Sequence, residues 1–190
     1  MTLIVGLGNP TENYKKNRHN IGFQVIDSLV DELKPLKINK NIFNAQLYKI
    51  NNIFLLKPTT YMNNSGFSVL SVVKYYKITN VIVVHDDIEL PFGSIRIKHG
   101  GGNGGHNGLK SIDTHYGKGY DRIRIGIGKP QNKEDIANYV LSNFSKKESV
   151  CLPTIVSYVK DTVLFLLNND ITETAAKFTV RKSLCNKAEV

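Results

Sequence analysis

The sequence predicts an α/β domain in which helices flank a mixed, twisted β-sheet. Short apolar runs alternate along the chain with segments whose apolar residues recur at helical spacing, and this alternation is typical of a sheet with helices on its faces. The chain has 190 residues, of which 41% are hydrophobic, which suits one domain with a core of its own. Since no internal repeat or low-complexity linker interrupts the pattern, we expect residues 1–190 to form a single domain.

Each element follows from its own pattern. An apolar run that ends in glycine predicts a buried strand over residues 3–7. Apolar residues at helical spacing from Ile21 to Leu33 predict the first helix, and Asn20 before it is a candidate N-cap. The same patterns predict further strands over residues 45–50, 52–56, 81–84, 94–98 and 122–127, and further helices over residues 65–75 and from about residue 106. From Lys133 on, the chain is predicted to be mostly helical, including residues 152–167.

The net charge gives the first indication of a partner. Lysine and arginine together number 25, aspartate and glutamate 16, which leaves a formal charge of +9. An excess of positive charge favours binding to a polyanion, since each neutralised phosphate releases counterions. Lysine, isoleucine and asparagine are all frequent here, so a lysine-rich proteome would produce the same excess. Charge alone therefore favours nucleic acid only slightly.

Cysteine content and the N-terminus bear on the compartment. Cys151 and Cys185 lie far apart in the last quarter of the chain, a pattern more typical of free, reduced thiols than of a disulfide framework. The first residues lack the basic n-region and the small-residue cleavage site of a secretory signal, and no stretch approaches the roughly 18 consecutive apolar residues of a membrane span. We expect a cytoplasmic protein without a membrane-spanning segment.

Polar residues follow several predicted strands or lie in loops, where functional residues concentrate on a rigid scaffold. Ligands of open α/β sheets lie beyond the carboxyl ends of the strands, so the three segments that directly follow a strand are expected to converge on one cleft. The polar segments are residues 6–10, 18–22, 58–63 and 85–87 and the glycine-rich loop 100–108.

Several familiar motifs are excluded. The glycines at positions 6 and 8 begin like a dinucleotide-binding fingerprint, but Thr11 stands where the third glycine belongs and Pro10 interrupts the turn. The glycine-rich loop lacks the Gly-Lys-Ser/Thr ending of a P-loop, and no Gly-x-Ser-x-Gly elbow offers a serine nucleophile. Neither cysteine lies in a glycine- or histidine-rich segment, which argues against a cysteine nucleophile.

A metal site is the alternative that is harder to dismiss. His19, His85, Asp86, Asp87 and His106 could in principle assemble a hydrolytic centre. No pair among them has the His-x-x-x-His or Cys-x-x-Cys spacing typical of zinc, and a magnesium site needs carboxylates near bound phosphates. We expect no metal, although the sequence leaves a metal-dependent esterase or nuclease open.

A general-base site remains. Histidine has an unperturbed pKa of about 6.5 and is largely neutral at cellular pH, so His19 is the candidate base. Arg18 beside it would favour the neutral form if the two side chains stay close. Asp86 could accept the Nδ1 proton, which leaves the other nitrogen facing a water molecule. From position alone, a capping histidine and a turn aspartate are the simpler interpretations.

Asparagines supply neutral donors and acceptors, which suit the orientation of an ester and the stabilisation of a developing oxyanion. Asn9, Asn63 and Asn107 all lie in the polar segments. In an asparagine-rich chain a single asparagine is more often a turn residue, so position does not decide their role.

Several motifs occur in a fixed order along the chain. They are Val-Gly-Leu-Gly-Asn-Pro at residues 5–10, Tyr14, Arg-His-Asn-Ile-Gly at 18–22, the segments 57–66 and 85–93, the loop through residues 106–112, Arg-Ile-Arg-Ile-Gly-Ile-Gly at 122–128 and Tyr-Val-Leu at 139–141. In this order they resemble the bacterial peptidyl-tRNA hydrolase family. The resemblance runs from residue 3 to about residue 145, extends more loosely to the C-terminus, and is far more specific than any single motif.

The resemblance implies a single α/β domain that hydrolyses the ester between a peptide and the 3′ ribose of tRNA, with no metal or organic cofactor. In the family this reaction recycles tRNA from aborted translation. The resemblance also implies that His19 is the general base and Asp86 its orienting partner.

The motifs carry over a set of substrate-binding residues as well. Asn9 and Asn63 are implied to line the cleft and to hold the peptide and the reacting ester. Asn107 is implied to help position the water or the substrate. Tyr14 and Met62 are family positions around the cleft, and packing explains Met62 better than Tyr14.

The basic residues of two predicted strands acquire a role by the same comparison. Arg96 and Lys98 alternate on one face, and Arg124 lies on the neighbouring strand. The family positions of Lys98 and Arg124 resemble a clamp for the 5′ phosphate of tRNA, in which guanidinium offers a bidentate fork and lysine a point charge. A solvated strand face explains the alternation equally. With the resemblance, the phosphate interpretation is favoured.

Departures from the family pattern are few. Thr11 stands where the family usually has glycine, and Asn17 replaces the usual threonine. Asn64 follows the motif asparagine, and Asn103 lies at a variable loop position. These departures bear on substrate preference and leave every proposed catalytic group present.

An RNA-binding protein on the same fold is the main alternative, since the chloroplast intron-splicing relatives of the family are not catalytic. The presence of His19, Asp86 and the amides argues against it. The family leads us to expect a monomer without an obligate protein partner. In the C-terminal segment 175–190, three basic residues could touch RNA: Lys177, Arg181 and Lys182.

Overall fold

The computed structural model describes residues 1–185, apart from the side chain of Lys133. The predicted domain also takes in residues 186–190, which lie outside the described residues. The strands are β1 (Thr2–Gly6), β2 (Leu36–Lys37), β3 (Ala45–Ile50), β4 (Ile53–Pro58), β5 (Asn80–Asp87), β6 (Ile95–His99) and β7 (Asp121–Gly126). The α-helices are α1 (Ile21–Leu33), α2 (Ser65–Tyr76), α3 (Asn107–His115), α4 (Ile136–Val140), α5 (Lys146–Leu166) and α6 (Ile171–Phe178).

The strands form one mixed sheet in the order β2-β3-β4-β1-β5-β7-β6. The four central strands β4, β1, β5 and β7 run parallel to one another, whereas β2, β3 and β6 pair antiparallel at the two edges. The prediction of an α/β fold with a mixed sheet flanked by helices is confirmed. Because the central strands share one direction, their carboxyl ends meet at one edge of the sheet.

Alternation along the central strands gives the sheet two apolar faces. Ile4 of β1 packs with α1 and α5 on one face, whereas its neighbours Leu3 and Val5 pack with α2 and α3 on the other. All three side chains are fully buried. Parallel strands that are covered on both faces are apolar throughout, and the helices therefore leave only the strand ends accessible.

β5 extends beyond its predicted end. The apolar run stops at residue 84, but the ladder with β7 continues and pairs Asp86 with Ile125 and Asp87 with Gly126. The two carboxylates are therefore held by a strand and not by a loop. Backbone pairing, which apolar periodicity does not report, fixes their orientation.

α5 lies in the region that was predicted to be mostly helical, and it begins at Lys146 because Ser145 and Glu148 form a capping box at its start. By length and composition this helix could cross a membrane. One of its faces is buried against α1 and the sheet, through Cys151, Ile155 and Val159 among others. The core helix of a globular domain passes the same test of length and composition, so the expectation of no membrane span stays a prediction.

Cys151 and Cys185 form a disulfide, so the prediction of free thiols was wrong. α5 carries Cys151 on its buried face, and the C-terminal segment returns along β6, where Val180 and Ile95 exchange two backbone hydrogen bonds of 2.9 and 3.0 Å. The return brings together two cysteines that lie 34 residues apart in sequence. No local spacing encodes this pairing.

Thr11 has φ 87° and ψ 151°, a region that only glycine adopts without strain. The side chain is exposed. Replacing it by glycine removes backbone strain of about 1–3 kcal/mol, which stabilises the folded state. Glycine also gives the unfolded chain more conformational entropy, which lowers the stability by about 0.5–1 kcal/mol. Thr11→Gly should therefore raise the free energy of unfolding by about 1 kcal/mol, measured by urea denaturation.

Thr59→Gly is the matched control, since Thr59 is also exposed and does not have a positive φ. It should lower the free energy of unfolding by about 0.5–1 kcal/mol. If both substitutions lower stability equally, the backbone at Thr11 is not strained.

Candidate active site

The polar segments after β1, β4 and β5 meet at the carboxyl edge of the sheet, as predicted. Asn9 follows β1, Met62 and Asn63 follow β4, and Asp86 is near the end of β5. Asn9 Oδ1 accepts a hydrogen bond of 2.8 Å from the backbone N–H of Met62. The loops after two different strands are thus joined directly, and together with β5 they build a cleft.

Asp86 is the carboxylate at the centre of this edge and is 1% exposed. His19 Nδ1 lies 2.9 Å from Asp86 Oδ1 and 3.0 Å from Oδ2, and His106 Nε2 lies 3.0 Å from Oδ1. Burial by itself raises the pKa of Asp86, but the two histidines and their hydrogen bonds outweigh burial and hold this pKa well below its usual range. We call these three residues the histidine–aspartate cluster.

Hydrogen bonds around the cluster determine where its protons lie. His106 precedes α3, and its Nδ1 accepts from the backbone N–H groups of Gly108 and Leu109 at 3.2 and 3.4 Å. A ring nitrogen that accepts carries no proton, so the proton of His106 lies on Nε2 and is donated to Asp86. His19 donates from Nδ1, which leaves its Nε2 without a hydrogen-bond partner among residues 1–185.

A close approach of the backbone holds His19 over the strand ends. His19 lies in the 3-10 turn Arg18–Asn20, which leads into α1. A Cβ atom on Gly22 would lie 2.5 Å from the Val84 carbonyl oxygen and 2.6 Å from the Leu7 backbone nitrogen. Only glycine permits this contact, so the start of α1 is set directly against β1 and β5.

Asn20 occupies the N-cap position of α1, but its side chain does not cap the helix. Its Nδ2 donates to the Asn9 carbonyl oxygen and its Oδ1 accepts from the Asn9 N–H, both at 2.9 Å. The predicted cap was wrong because the buried Asn9 backbone needs both partners. Asn20 therefore positions Asn9 in the cleft, a role that the sequence alone did not indicate.

The predicted substrate-binding residues all line one cavity of about 290 Å³, together with His19. Asn63 and Asn107 are exposed there, and Tyr14 meets Tyr61 edge to face with ring centroids 6.4 Å apart. Met62 is 4% exposed and also packs in the core. The sequence did not single out Tyr61 or the α4 wall of the cavity. The predicted residues are Asn9, Tyr14, Met62, Asn63 and Asn107.

A second cavity, of about 440 Å³, adjoins the histidine–aspartate cluster and is lined by Lys98, Arg122 and Arg124. Lys98 and Arg122 are cross-strand neighbours in the register of β6 and β7, and Arg124 Nε donates to Asp87 at 2.8 Å. Two of the predicted phosphate-binding residues thus reach this cavity. Arg96 pairs with Arg124 in the same register but does not line it.

His85 and Arg122 form a buried contact that the sequence did not single out. Arg122 Nε donates to His85 Nε2 at 3.2 Å, and His85 Nδ1 donates to the Asp86 carbonyl oxygen at 2.7 Å. Burial, reinforced by nearby positive charge, lowers the pKa of His85 well below its usual value, so its imidazole is neutral. The alternation in Arg122-Ile123-Arg124 puts both arginines on one face of β7, and this pattern is the sequence signal that could have indicated a role for Arg122.

The histidine–aspartate cluster is also the candidate metal centre of residues 1–185, with its ligand atoms within 4.8 Å of one another. The positions of its ring protons are not compatible with metal binding. Histidines that bind metals donate a hydrogen bond from the second ring nitrogen, whereas that nitrogen of His106 accepts. The nitrogen that faces Asp86 therefore carries a proton and is not available as a ligand.

Comparison with known proteins identifies the family. The peptidyl-tRNA hydrolase family model matches residues 3–187. The chain is 52% identical over 183 residues to a peptidyl-tRNA hydrolase of Aliarcobacter butzleri, which covers 95% of this chain and all of the relative. The chain belongs to the peptidyl-tRNA hydrolase family.

Further members agree in sequence and structure. A peptidyl-tRNA hydrolase of Sulfurovum sp. is 50% identical over 183 residues, covering 95% of this chain and 97% of the relative. The crystal structure of peptidyl-tRNA hydrolase from Acinetobacter baumannii matches with a TM-score of 0.89 at 35% identity, over 96% of each chain. The resemblance seen in the sequence is thereby confirmed along nearly the whole chain.

Arg18 ties the turn that carries His19 to the segment between α4 and α5. Its Nη1 donates to Ser142 Oγ at 2.8 Å and to the Asn143 carbonyl oxygen, and its Nη2 lies 2.7 Å from a Glu148 carboxylate oxygen. Arg18 is 7% exposed. Because Glu148 neutralises its charge, Arg18 acts chiefly as a structural link between these two segments.

Breaking this buried ion pair should be costly. Arg18→Met leaves the Glu148 carboxylate without its cationic partner, so the free energy of unfolding should fall by about 3 kcal/mol, measured by urea denaturation. The double variant Arg18→Met/Glu148→Met should lose less than the sum of the two single variants. Arg181→Met, at an exposed position, is the control and should change stability little. Additive losses in the double variant would show that the pair is not coupled.

Proposed function

We propose that this chain is a peptidyl-tRNA hydrolase, which cleaves the ester between a peptide and the 3′ ribose of tRNA and releases free tRNA during translation. The observation that carries the proposal is the buried Asp86 carboxylate, which holds the Nδ1 proton of His19 and leaves Nε2 free on a side chain that lines the amide-lined cavity. Membership of the family supports the assignment of peptidyl-tRNA as the substrate.

In the proposed reaction, His19 Nε2 removes a proton from water while the water oxygen bonds to the ester carbonyl carbon. The resulting imidazolium is stabilised by ionised Asp86, which accepts its Nδ1–H. The tetrahedral intermediate collapses when the bond from carbon to the ribose 3′ oxygen breaks. That oxygen takes the proton from His19, so the products are a peptide acid and tRNA with a free 3′ hydroxyl.

His106 has a supporting role in this scheme. It donates a second hydrogen bond to Asp86 Oδ1, which stabilises the ionised form of the carboxyl. Since its other ring nitrogen is engaged at the start of α3, it cannot turn away and take the place of His19. Of the two histidines that bind Asp86, only His19 therefore has a free ring nitrogen and can act as a base.

The amides of the cleft suit a neutral, polar substrate group. Asn63 and Asn107 are exposed on the cavity that contains His19, where their N–H groups could bind the ester oxygen as it gains charge. Asn9 is 7% exposed and its Oδ1 is engaged by Met62. We assign Asn63 and Asn107 to the ester and the attacking water, and Asn9 to the shape of the peptide site.

We further propose that the reaction needs no metal or organic cofactor. The proton on His106 Nε2 supports this proposal, because it occupies the position that a metal would take. We also propose that the protein works in the cytoplasm as a monomer. RNA binding without catalysis is the alternative outcome of the first test.

His19→Ala should lower kcat by about 10³-fold or more, because general-base assistance is lost, and Asp86→Asn by about 10³- to 10⁴-fold. Both should bind tRNA as tightly as the unmodified protein. The measurement is release of deacylated tRNA from an N-blocked aminoacyl-tRNA in the presence of a chelator. Turnover by a folded His19→Ala variant would overturn the base assignment.

The unmodified protein is the control in this assay. Cleavage in chelator supports a metal-free reaction. Binding of tRNA without any cleavage would replace the enzyme by an RNA-binding protein.

Lys98→Ala and Arg124→Ala should each raise KM for full-length peptidyl-tRNA by about tenfold and reduce the salt slope of binding by about one. The reason is the loss of one cation that neutralises the 5′ phosphate. Removal of the 5′ phosphate from the tRNA should abolish the difference between these variants and the unmodified protein. An unchanged KM and salt slope would exclude the phosphate clamp.

A further inference from the structure

Arg122 is a buried cation without a carboxylate partner among residues 1–185. It is 3% exposed, and its hydrogen bonds go to neutral acceptors: His85 Nε2 and the carbonyl oxygens of Gly100 and Gly102. Arg18, which is buried to a similar degree, has the carboxylate of Glu148 at 2.7 Å. The two buried arginines therefore differ in whether their charge is neutralised by the protein.

The carboxylates nearest to Arg122 are engaged elsewhere. Asp87 binds Arg124, and Asp113 accepts hydrogen bonds from Tyr120 and Asn103 at 2.7 and 3.1 Å. They act on Arg122 only at longer range. A buried charge without a partner is unfavourable because it has lost its hydration, and an anion that enters from solvent would offset this cost.

Lys98 adds a second cation beside Arg122. The two residues are paired across β6 and β7 and line the same 440 Å³ cavity. Burial lowers the pKa of Lys98, and the positive charges of Arg122 and Arg124 act in the same direction, whereas Asp87 opposes them. The cavity wall between these cations is the glycine-rich loop, whose Gly102, Gly104 and Gly105 have no side chains to obstruct a ligand.

The part of the cavity that carries Lys98 and Arg122 adjoins the histidine–aspartate cluster. Arg122 contacts His85, whose ring lies edge to face with that of His106 at 5.2 Å between centroids, and His106 binds Asp86. Arg122 is thus linked to the reacting end of the cleft through two side chains. Arg124, in contrast, is held by Asp87.

We propose that Arg122 forms an anion subsite for a phosphodiester of the unpaired 3′ strand of the tRNA, next to the ester that is cleaved. The proposal rests on the proposed function and deepens it. A 5′-terminal phosphate belongs to the paired end of the acceptor stem and lies farther from the ester than the phosphodiesters that lead into the last nucleotide. The cation linked to the reacting centre therefore matches the 3′ strand.

The test is a series of three N-blocked aminoacyl esters that differ only in the nucleic acid. One ester is carried by adenosine, which has no phosphodiester. Another is carried by the trinucleotide CCA, which has phosphodiesters but no 5′ strand, and the third by full-length tRNA. kcat/KM is measured for the unmodified protein, Arg122→Met and Arg122→Lys.

Arg122→Met should lower kcat/KM by about 10- to 100-fold for the CCA and tRNA esters, as expected for the loss of a charged hydrogen bond, and leave the adenosine ester unchanged. Arg122→Lys should recover part of the loss, since it keeps the charge. Lys37→Met removes one positive charge from β2, at the opposite edge of the same sheet, and should match the unmodified protein on all three esters.

Two other patterns would overturn the subsite. An equal loss on all three esters would show that Arg122 only supports the glycine-rich loop and His85. A loss confined to full-length tRNA would assign Arg122 to the 5′ phosphate. If the unmodified protein cleaves none of the esters, the proposed function fails instead, and the two failures are distinguished.

Inorganic phosphate gives a second measurement that does not depend on the kinetics of Arg122 variants alone. It should inhibit cleavage of the CCA ester competitively in the unmodified protein, and at least tenfold more weakly in Arg122→Met. Thermal unfolding of each variant shows whether it is folded. Equal inhibition of folded Arg122→Met and of the unmodified protein would contradict an anion site at Arg122.

Discussion

The pair of hydrogen bonds that the two imidazoles donate to buried Asp86 is the interaction on which the rest of the site depends. A carboxylate that is 1% exposed stays ionised only if neighbours replace its water. Each of those neighbours is fixed by its own constraint: His19 by the contact of Gly22 with β1 and β5, and His106 by two backbone N–H groups of α3. The strand, the two helix starts and the charge therefore form one unit.

The same edge of the sheet separates two kinds of chemistry. The cavity that contains His19 and the amides is lined by neutral side chains. The adjoining cavity is lined by charged ones, which include the cations Lys98, Arg122 and Arg124 and the carboxylates of Asp87, Glu89 and Glu134. In the proposed reaction, this difference would orient a substrate with a neutral peptide on one side of the ester and a polyanion on the other, because the reversed pose would place phosphate in a cavity without cations.

The sequence predicted correctly those features that depend on residues close together in the chain. The bounds of α1 follow from helical spacing of apolar residues, and the carboxyl edge of the parallel strands explains why Asn9, Asn63 and Asp86 converge. The roles proposed for them came from the family resemblance, since position alone favoured capping and turn interpretations. The Arg18–Glu148 ion pair was not predicted, and the Cys151–Cys185 pair was wrongly predicted to be free thiols. Both pairings depend on the path of the chain after α4, which no spacing in the sequence records.

Arg18 and Arg122 show why burial alone does not reveal the role of a charged residue. Both guanidinium groups are almost fully buried, but the charge of Arg18 is neutralised by Glu148 and has no need of a ligand. The hydrogen bonds of Arg122 satisfy donors without neutralising charge. In an ion pair the partner cancels most of the electric field of the buried charge. Neutral acceptors do not, so the field of the charge still acts in the cavity. The partner of each arginine, and not its depth, therefore separates the structural residue from the candidate binding residue.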